Sequence, residues 1–430
     1  MPAQTKILST TKMIFGLLCG NAVIMYIDRT NMSVAAPVIK HVFGLNNLEI
    51  GVTFSAFSIA YAGFMVIGGR LGDIIGSRKG LTICGIIWAL GTAFTGLAGG
   101  LLSLVCARII VGMGEAPIYP IFSSVVGRWV PKGRRGLAQG LLHGFGRMGA
   151  ALAPMIVVAL IIGFSWRWAF IILGGVSLLF TAVIWTYLRD DPRLHPGVTA
   201  EELENLGYHA ETDGSPEILK SPPMVWPEFM RRVWPVTAVS FCYGWFSWFL
   251  ISWVPLYFTH VHGLSLKRVA IFSTMVLFGG GFGMVFGGLA TDWWMKRTGS
   301  ARRARRDIII FSFLSAMLCI IPLVFSADLL VDASFLALGY FMIELADPSI
   351  WMLGMEVLPT HAATSTAMVN TGFALAGFVS PLAVGWLLDV TGNWTVVFIV
   401  SMCILLIGPL MVWQIRFNET PEKRTAEAFL

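Results

Sequence analysis

Twelve stretches of mostly apolar residues, each long enough to cross a bilayer as a helix, set the first limit on this chain. In lipid every backbone polar group must be satisfied within the protein, so segments of this kind become α-helices. They lie at about 13–39, 49–69, 80–101, 102–129, 134–160 and 166–188. After a polar segment, six more lie at about 232–260, 266–294, 308–327, 332–358, 361–389 and 394–415. The expected fold is therefore an all-α membrane protein of twelve transmembrane helices. Composition agrees: 56% of the 430 residues are hydrophobic and 13% charged, against about 45–50% and about 25% in soluble domains. A soluble enzyme, a nucleic-acid-binding module and a single-pass receptor are excluded. Cys19, Cys84, Cys106, Cys242, Cys319 and Cys403 all fall inside apolar stretches, so neither a disulfide framework nor a metal cluster is expected, and no cofactor is. The polar N-terminus runs to Lys12 and then into a long span with no small-residue cleavage site, which reads as a retained first helix.

Orientation follows from Lys and Arg, which are held on the cytoplasmic side. With the N-terminus inside, the inside segments carry 23 of the 30 basic residues, and the outside loops carry four: Lys40, Arg167, Lys267 and Arg268. The opposite topology inverts that ratio, so both termini are expected to be cytoplasmic. The net charge of +6 is then a topological signal, not nucleic-acid affinity. The run Arg302-Arg303-Ala304-Arg305-Arg306 falls between spans eight and nine and reads as an inside, lipid-headgroup feature.

The segment 189–231 is the one long polar stretch. It holds Pro192, Pro196, Pro222, Pro223 and Pro227, with acids from Glu201 to Glu217, and reads as a cytoplasmic linker with a short helix near 199–207. It divides the chain into six-helix halves at 1–188 and 232–415, followed by a tail at 416–430. No Walker-type glycine loop occurs, which argues against ATP-driven transport.

The halves echo each other. Gly68-Gly69-Arg70-Leu71-Gly72-Asp73 after span two recurs as Gly287-Gly288-Leu289-Ala290-Thr291-Asp292 after span eight. Val130-Pro131 matches Leu358-Pro359, Ala153-Pro154 matches Ser380-Pro381, and Trp168 matches Trp394. The offsets of 219, 228, 227 and 226 keep order and spacing together. Parallel repeats of this kind enclose a central cavity and suit alternating access.

The string Gly69-Arg70-Leu71-Gly72-Asp73-Ile74-Ile75-Gly76-Ser77-Arg78-Lys79 resembles the loop signature of the major facilitator superfamily, with Ile74 where a basic residue is usual. Asp73 by a helix end, with Arg78 and Lys79 in the loop, reads as a conformational latch, and the pattern recurs at Asp292. Its rival is positive-inside charge alone.

An ionisable side chain at the bilayer centre costs about 2.5–3.5 kcal/mol on insertion scales, so each needs a reason. Outside loops and linker these are Asp28 and Arg29 in span one, Arg108 and Glu115 in span four, Arg147 in span five, and Glu344 and Asp347 in span ten. Arg108 and Glu115 are seven apart, on one helical face and separated by about 10.5 Å of rise. A partner or ligand between them, or on span one, is more natural than a direct pair, although Arg108 has snorkelling as its alternative. Glu115, flanked by Gly112, Gly114 and Pro117, has no such escape; small geometric changes there make an acid take or release a proton. Its rival reading is a permanent structural salt bridge.

Tyr26-Ile27-Asp28-Arg29-Thr30-Asn31-Met32-Ser33-Val34-Ala35-Ala36-Pro37, together with Arg108-Ile109-Ile110-Val111-Gly112-Met113-Gly114-Glu115-Ala116-Pro117, resembles the anion:cation symporter family over nearly the whole chain. That family includes bacterial galactonate, hexuronate and glucarate transporters and the eukaryotic sialin and vesicular glutamate transporters. The resemblance implies Asp28 and Glu115 as protonation sites and Arg29 as the anchor for a substrate carboxylate. It also implies Tyr26 and Tyr61 as cavity-lining residues and Asn370 as a polar substrate contact. The chemistry agrees: arginine offers a planar fork to a carboxylate, while tyrosine and asparagine bond hydroxyls. Arg108 is a further candidate contact for the anion.

Two features depart from the galactonate-like pattern. Arg147 puts a charge where those members carry an uncharged polar contact, which makes it a candidate second anchor. Glu344 and Asp347 share one face of span ten and are candidates for pairing with Arg147, for substrate hydroxyls or for a water-filled vestibule. His143, one turn before Arg147, reads as a packing residue or a proton relay. Trp245 and Trp248 suit lipid contact or a stacking wall for a ring-shaped substrate.

The expected activity is proton-coupled import of a small organic anion, a sugar acid, by a monomer in a bacterial cytoplasmic membrane. An exporter of the same superfamily is the alternative, disfavoured because span five carries Ala153-Pro154-Met155-Ile156 in place of a Gly-Pro-x-x-Gly-Gly element. A sensor built on the fold is disfavoured by the short tail. A membrane enzyme lacks a Ser/His/Asp set or metal cluster among the buried residues.

Overall fold

The computed structural model describes residues 10–131, 135–206, 226–326, 328–358 and 362–415, excluding the side chains of 66–73, 136–137 and 362–363. Fifteen α-helices follow one another among them. In the first half these are α1 (Thr10–Phe43), α2 (Asn47–Ile75), α3 (Ser77–Gly96), α4 (Leu101–Glu115), α5 (Ile118–Trp129), α6 (Arg135–Gly163) and α7 (Trp166–Tyr187). The short α8 (Ala200–Leu206) follows. The second half holds α9 (Trp226–His262), α10 (Leu266–Thr298), α11 (Ala301–Phe325), α12 (Leu329–Glu344), α13 (Asp347–Glu356), α14 (Ala362–Thr391) and α15 (Trp394–Val412). Among the described residues eleven segments are long and apolar enough to cross a membrane. The twelfth helix of the series is α3, which carries Arg78 and Lys79 in its first turn and small residues such as Gly85, Ala89 and Gly91 along its length.

Spans four and ten are each broken once. In span four α4 ends at Glu115 and α5 begins at Ile118, with Pro117 between them. In span ten α12 ends at Glu344 and α13 opens at Asp347, with proline in its first turn. Proline has no N–H to give to the preceding turn, but its fixed φ suits a helix start. The breaks therefore fall where a proline follows a buried acid, and they repeat between the halves.

Several helices outrun their apolar stretches. The most informative is α11, which begins at Ala301 and not near 308, so the arginine run lies on the helix and not in a loop. Ser300 caps it by accepting from the Arg303 N–H, and arginine is a good helix former. Hydropathy sees the lipid boundary, whereas a capped helix continues past it.

The helices group into two compact units. One comprises 1–217, 251–281 and 378–392; the other comprises 218–250, 282–377 and 393–430. In the first, α3 packs against α4 and α7, and α1 against α6. In the second, α11 packs against α12 and α15. The third helix of each half thus lies on its fourth and sixth, so the sequence repeat is a repeat of packing. Glycines permit the closest approaches. A Cβ on Gly112 would lie 2.5 Å from the Phe57 carbonyl oxygen on α2, and one on Gly114 would lie 2.4 Å from the Trp88 backbone nitrogen on α3. These two glycines wedge the end of α4, and with it Glu115, between α2 and α3.

Candidate functional site

Within the first unit four ionisable side chains are buried together. Arg29 on α1 donates from Nε to Glu115 Oε2 at 2.9 Å, and its Nη2 lies 2.8 Å from the same oxygen. Glu115 is fully buried and its Oε1 has no hydrogen-bond partner. One carboxylate oxygen therefore holds the fork while the other is left over. Breaking such a buried pair by removing one partner costs about 3–5 kcal/mol, because an uncompensated charge remains.

Aromatic rings enclose the guanidinium. Its carbon lies 4.7 Å from the Tyr26 ring centroid, 4.8 Å from Tyr61 and 5.3 Å from Phe57. Tyr61 stacks on Phe57 at 5.7 Å, and Tyr26 meets Tyr119 edge-on at 6.3 Å. Ring faces attract a cation more strongly once water is excluded, by roughly 2 kcal/mol or more in desolvated sites. They hold Arg29 without neutralising its charge, which Glu115 answers.

Arg108 is buried, not snorkelling, with 3% of its surface exposed. It lies over Phe57 at 4.7 Å, in the electrostatic field of Glu115, Asp28 and Arg29. Its Nε has no hydrogen-bond partner. The helical spacing that kept Arg108 from pairing tightly with Glu115 is resolved by Arg29, which reaches Glu115 from span one.

Asp28 turns away from its neighbour Arg29. Its Oδ2 accepts from Trp88 Nε1 on α3 and from Ser177 Oγ on α7, both at 2.6 Å, and its Oδ1 has no hydrogen-bond partner. Consecutive residues on a helix are about 100° apart, so one carboxylate can face α3 and α7 while the next guanidinium faces α2 and α4. Trp88, Ser177 and Phe57 carry no charge, and sequence reasoning missed them; an indole inside an apolar span reads as lipid contact until its N–H is seen to have a partner.

The second unit repeats the arrangement with neutral donors. Glu344, fully buried at the end of α12, accepts from Tyr243 Oη at 3.0 Å and from Ser247 Oγ at 3.4 Å, both on α9. Span one reaches the acid that ends the first helix of span four; span seven does the same for span ten. Asp347 opens α13 and is buried. Trp245 donates to Ser401 Oγ at 3.1 Å, and Trp248 packs on Phe373 at 5.7 Å, so both indoles face protein and not lipid.

The remaining expected residues are placed as follows. Arg147 and Asn370 are half-buried, and His143 stacks on Tyr119 with centroids 4.5 Å apart. The side chain of Asp73 lies outside the described residues. The Arg78 N–H donates to Asp190 Oδ1 at 2.8 Å, and its guanidinium bonds the Trp185 carbonyl and stacks on that indole at 4.1 Å. Lys79 is exposed. Asp292 is exposed and lies in the electrostatic field of Arg305. Just past α7, hydrogen bonds from Arg193 hold the Asp191 carboxyl below the usual carboxylate range. No group of three metal-ligating side chains occurs among the described residues, and all six cysteines are unpaired.

The Major Facilitator Superfamily model matches residues 18–381. The chain is 37% identical to a protein of Cupriavidus necator named as a probable sulfoacetate transporter, over 94% of this chain and 93% of that one. It is 29% identical to the D-galactonate transporter of Escherichia coli O6:H1, over 90% and 91% of the two chains. It is 26% identical to the hexuronate transporter of Bacillus subtilis, over 92% of each. In fold it is similar to a bacterial homologue of the human lysosomal transporter Spinster, with a TM-score of 0.73 at 17% identity, over 96% of this chain and 95% of that one. This chain is a multi-pass membrane transporter and belongs to the major facilitator superfamily.

Proposed function

We propose that the protein imports a small organic anion together with protons, by alternating access, with Arg29 as the anion anchor and Glu115 as the group that couples the proton. The observation that carries this reading is the buried Arg29–Glu115 pair, in which one carboxylate holds the guanidinium an anion would need. Protonation of Glu115 removes its charge and releases Arg29 to a carboxylate or sulfonate; deprotonation recaptures Arg29 and expels the anion. Proton and substrate then favour each other's binding by the same factor, as linkage requires. Tyr26 and Tyr61 flank the anchor and offer hydroxyls to the cargo. Asp28 is a second carboxyl for a proton, and Arg147, Asn370 and Asp347 belong to the cargo's surroundings. Asp73, Arg78, Lys79 and Asp292 serve as the conformational latch. The positive-inside count supports cytoplasmic termini and an inner-membrane location.

Two cargo classes fit this site. Sugar acids are the cargo named for several relatives. A compact dianion bearing a carboxylate and a sulfonate is favoured by the second buried arginine, Arg108, whose Nε is unbonded, and by the relative named for sulfoacetate. Uptake of labelled sulfoacetate, galactonate and glucuronate into proteoliposomes, with and without an inward proton gradient, tests the reading. Gradient-stimulated accumulation of at least one is expected; accumulation of none, or equal uptake without the gradient, contradicts it.

A further inference from the structure

Two helices of the first unit, α3 and α7, run antiparallel in close register. Arg78 Nε donates to the Trp185 carbonyl oxygen at 2.8 Å, where α3 begins and α7 ends. Farther along, a Cβ on Gly174 would lie 2.7 Å from the Ala89 carbonyl oxygen. Approaches this close need glycine, and they seat one helix on the other along a line. Beside that line lies a groove of about 540 Å³. On α3 it is lined by Lys79, Ile83 and Ile86, at i, i+4 and i+7; on α7 it is lined by Trp185, Ala182 and Leu178, at i, i−3 and i−7. Each helix thus gives one stripe, about 10.5 Å long in rise. Lys79 and Trp185 stand at one end of the groove, and Ile86 and Leu178 at the other.

The walls are apolar and open to the surroundings: Ile83, Ile86, Leu178, Ala182 and Trp185 are all exposed. Two threonines also line the groove, but both hydroxyls are committed to their own helices. Thr82 Oγ1 donates to the Arg78 carbonyl and Thr181 Oγ1 to the Ser177 carbonyl, each at 2.8 Å. The Lys79 ammonium is therefore the one charged group lining the groove. It is exposed, and no acid pairs with it among the described residues. Asp190, just past α7, accepts from the Arg78 N–H at 2.8 Å, and the Arg78 guanidinium lies on the Trp185 indole at 4.1 Å, which fixes the wall beside Lys79. A tryptophan and a lysine at the end of two membrane helices suit the level of the lipid headgroups.

We infer that this groove holds one acyl chain of an anionic phospholipid whose phosphate sits on the Lys79 ammonium. The arrangement is that of an amphiphile: one cation at one end, then apolar wall on both sides. A cation at the headgroup level favours a lipid of net negative charge over a zwitterion, whose own cation offsets its phosphate. A free anion gains nothing from the apolar walls, whereas an acyl chain buries surface there. Lys79 also belongs to the proposed latch; the site is read by lipid labelling and not by uptake, so failure of either reading leaves the other standing.

The test uses the purified full-length chain in neutral detergent with phosphatidylglycerol or phosphatidylcholine carrying a photoreactive diazirine on one acyl chain. Labelled residues are mapped by peptide mass spectrometry. A lysine near a lipid surface contributes about fivefold to affinity, so at equal subsaturating concentration phosphatidylglycerol should label residues 82–86 and 178–182 about fivefold more than phosphatidylcholine does. Lys79→Gln should bring phosphatidylglycerol down to the phosphatidylcholine level. Lys296→Gln, exposed at the end of α10, should change the labelling by less than about twofold. Excess glycerol 3-phosphate, a headgroup without chains, should not compete. Equal labelling by the two lipids, a preference that survives Lys79→Gln, or competition by glycerol 3-phosphate as strong as by unlabelled phosphatidylglycerol overturns the inference. If Lys79→Gln does not fold, Ala182→Trp fills the groove from an exposed position and carries the same test: a folded protein that loses labelling at 82–86 supports the site, and unchanged labelling overturns it.

Discussion

Asp28 and Arg29 are consecutive in the chain, yet they answer to different helices: Asp28 accepts from Trp88 and Ser177, while Arg29 donates to Glu115. Two carboxyls are thereby separated into two environments within one unit. On the proposed mechanism, Glu115 and not Asp28 is the carboxylate an anion displaces from Arg29.

Arg29→Ala should abolish anion binding in a protein that still inserts, because the cation enclosed by Tyr26, Phe57 and Tyr61 is the proposed anchor. Arg29→Lys should also bind poorly, since an ammonium has no planar fork. Calorimetry on the purified variants checks both; undiminished affinity in either removes the anchor role.

Trp88→Phe takes one of two donors from the buried Asp28 oxygen. A hydrogen bond to a charged group contributes about 1.5–3 kcal/mol, so Tm should fall. Ser177→Ala should act in the same direction. Thermal unfolding of the two purified variants checks this, and an unchanged Tm in both contradicts the paired donors.

Gly114→Val should destabilise the first unit by about 1–3 kcal/mol through overpacking, because even a Cβ there would sit 2.4 Å from the Trp88 nitrogen and 2.8 Å from the Cys84 carbonyl oxygen. The displaced α3 carries Trp88 away from Asp28. Thermal unfolding checks this, and an unchanged Tm contradicts it.

The hydropathy of the sequence located every span, and the cost of intramembrane charge singled out Arg29, Glu115 and Glu344 before any partner was known. Pro117 and Pro348 were equally visible, and they mark the breaks that end α4 and α12 at those acids, but apolar windows average across a two-residue break. The partners of Asp28 were hidden because hydropathy does not say which face of span three an indole occupies. Asn47 and Asp389 are 342 residues apart and carry no local signal for each other.

That last pair makes its own prediction. Asp389 on α14 accepts from Asn47 N at 3.0 Å, Asn47 Nδ2 at 2.8 Å and Leu48 N at 2.7 Å, while Asn46 takes the Glu49 N–H. The first three amides of α2 are thus capped, two of them by a residue from the far end of the chain. Losing a cap costs about 0.5–2 kcal/mol, so Asp389→Ala should raise hydrogen exchange over residues 47–51 by roughly three- to thirtyfold. Exchange within the middle of α1 should be unchanged. No rise at 47–51 contradicts the cap.

The most direct test of the account is Glu115→Gln, which mimics the protonated acid and leaves Arg29 without its carboxylate. Reconstituted in proteoliposomes, this variant should bind substrate and exchange it across the membrane in counterflow, which needs no net proton movement. It should fail to accumulate substrate when an inward proton gradient is imposed. Accumulation against the substrate gradient at the wild-type level would contradict the account, remove Glu115 from the proton path and leave the Arg29–Glu115 pair a structural salt bridge.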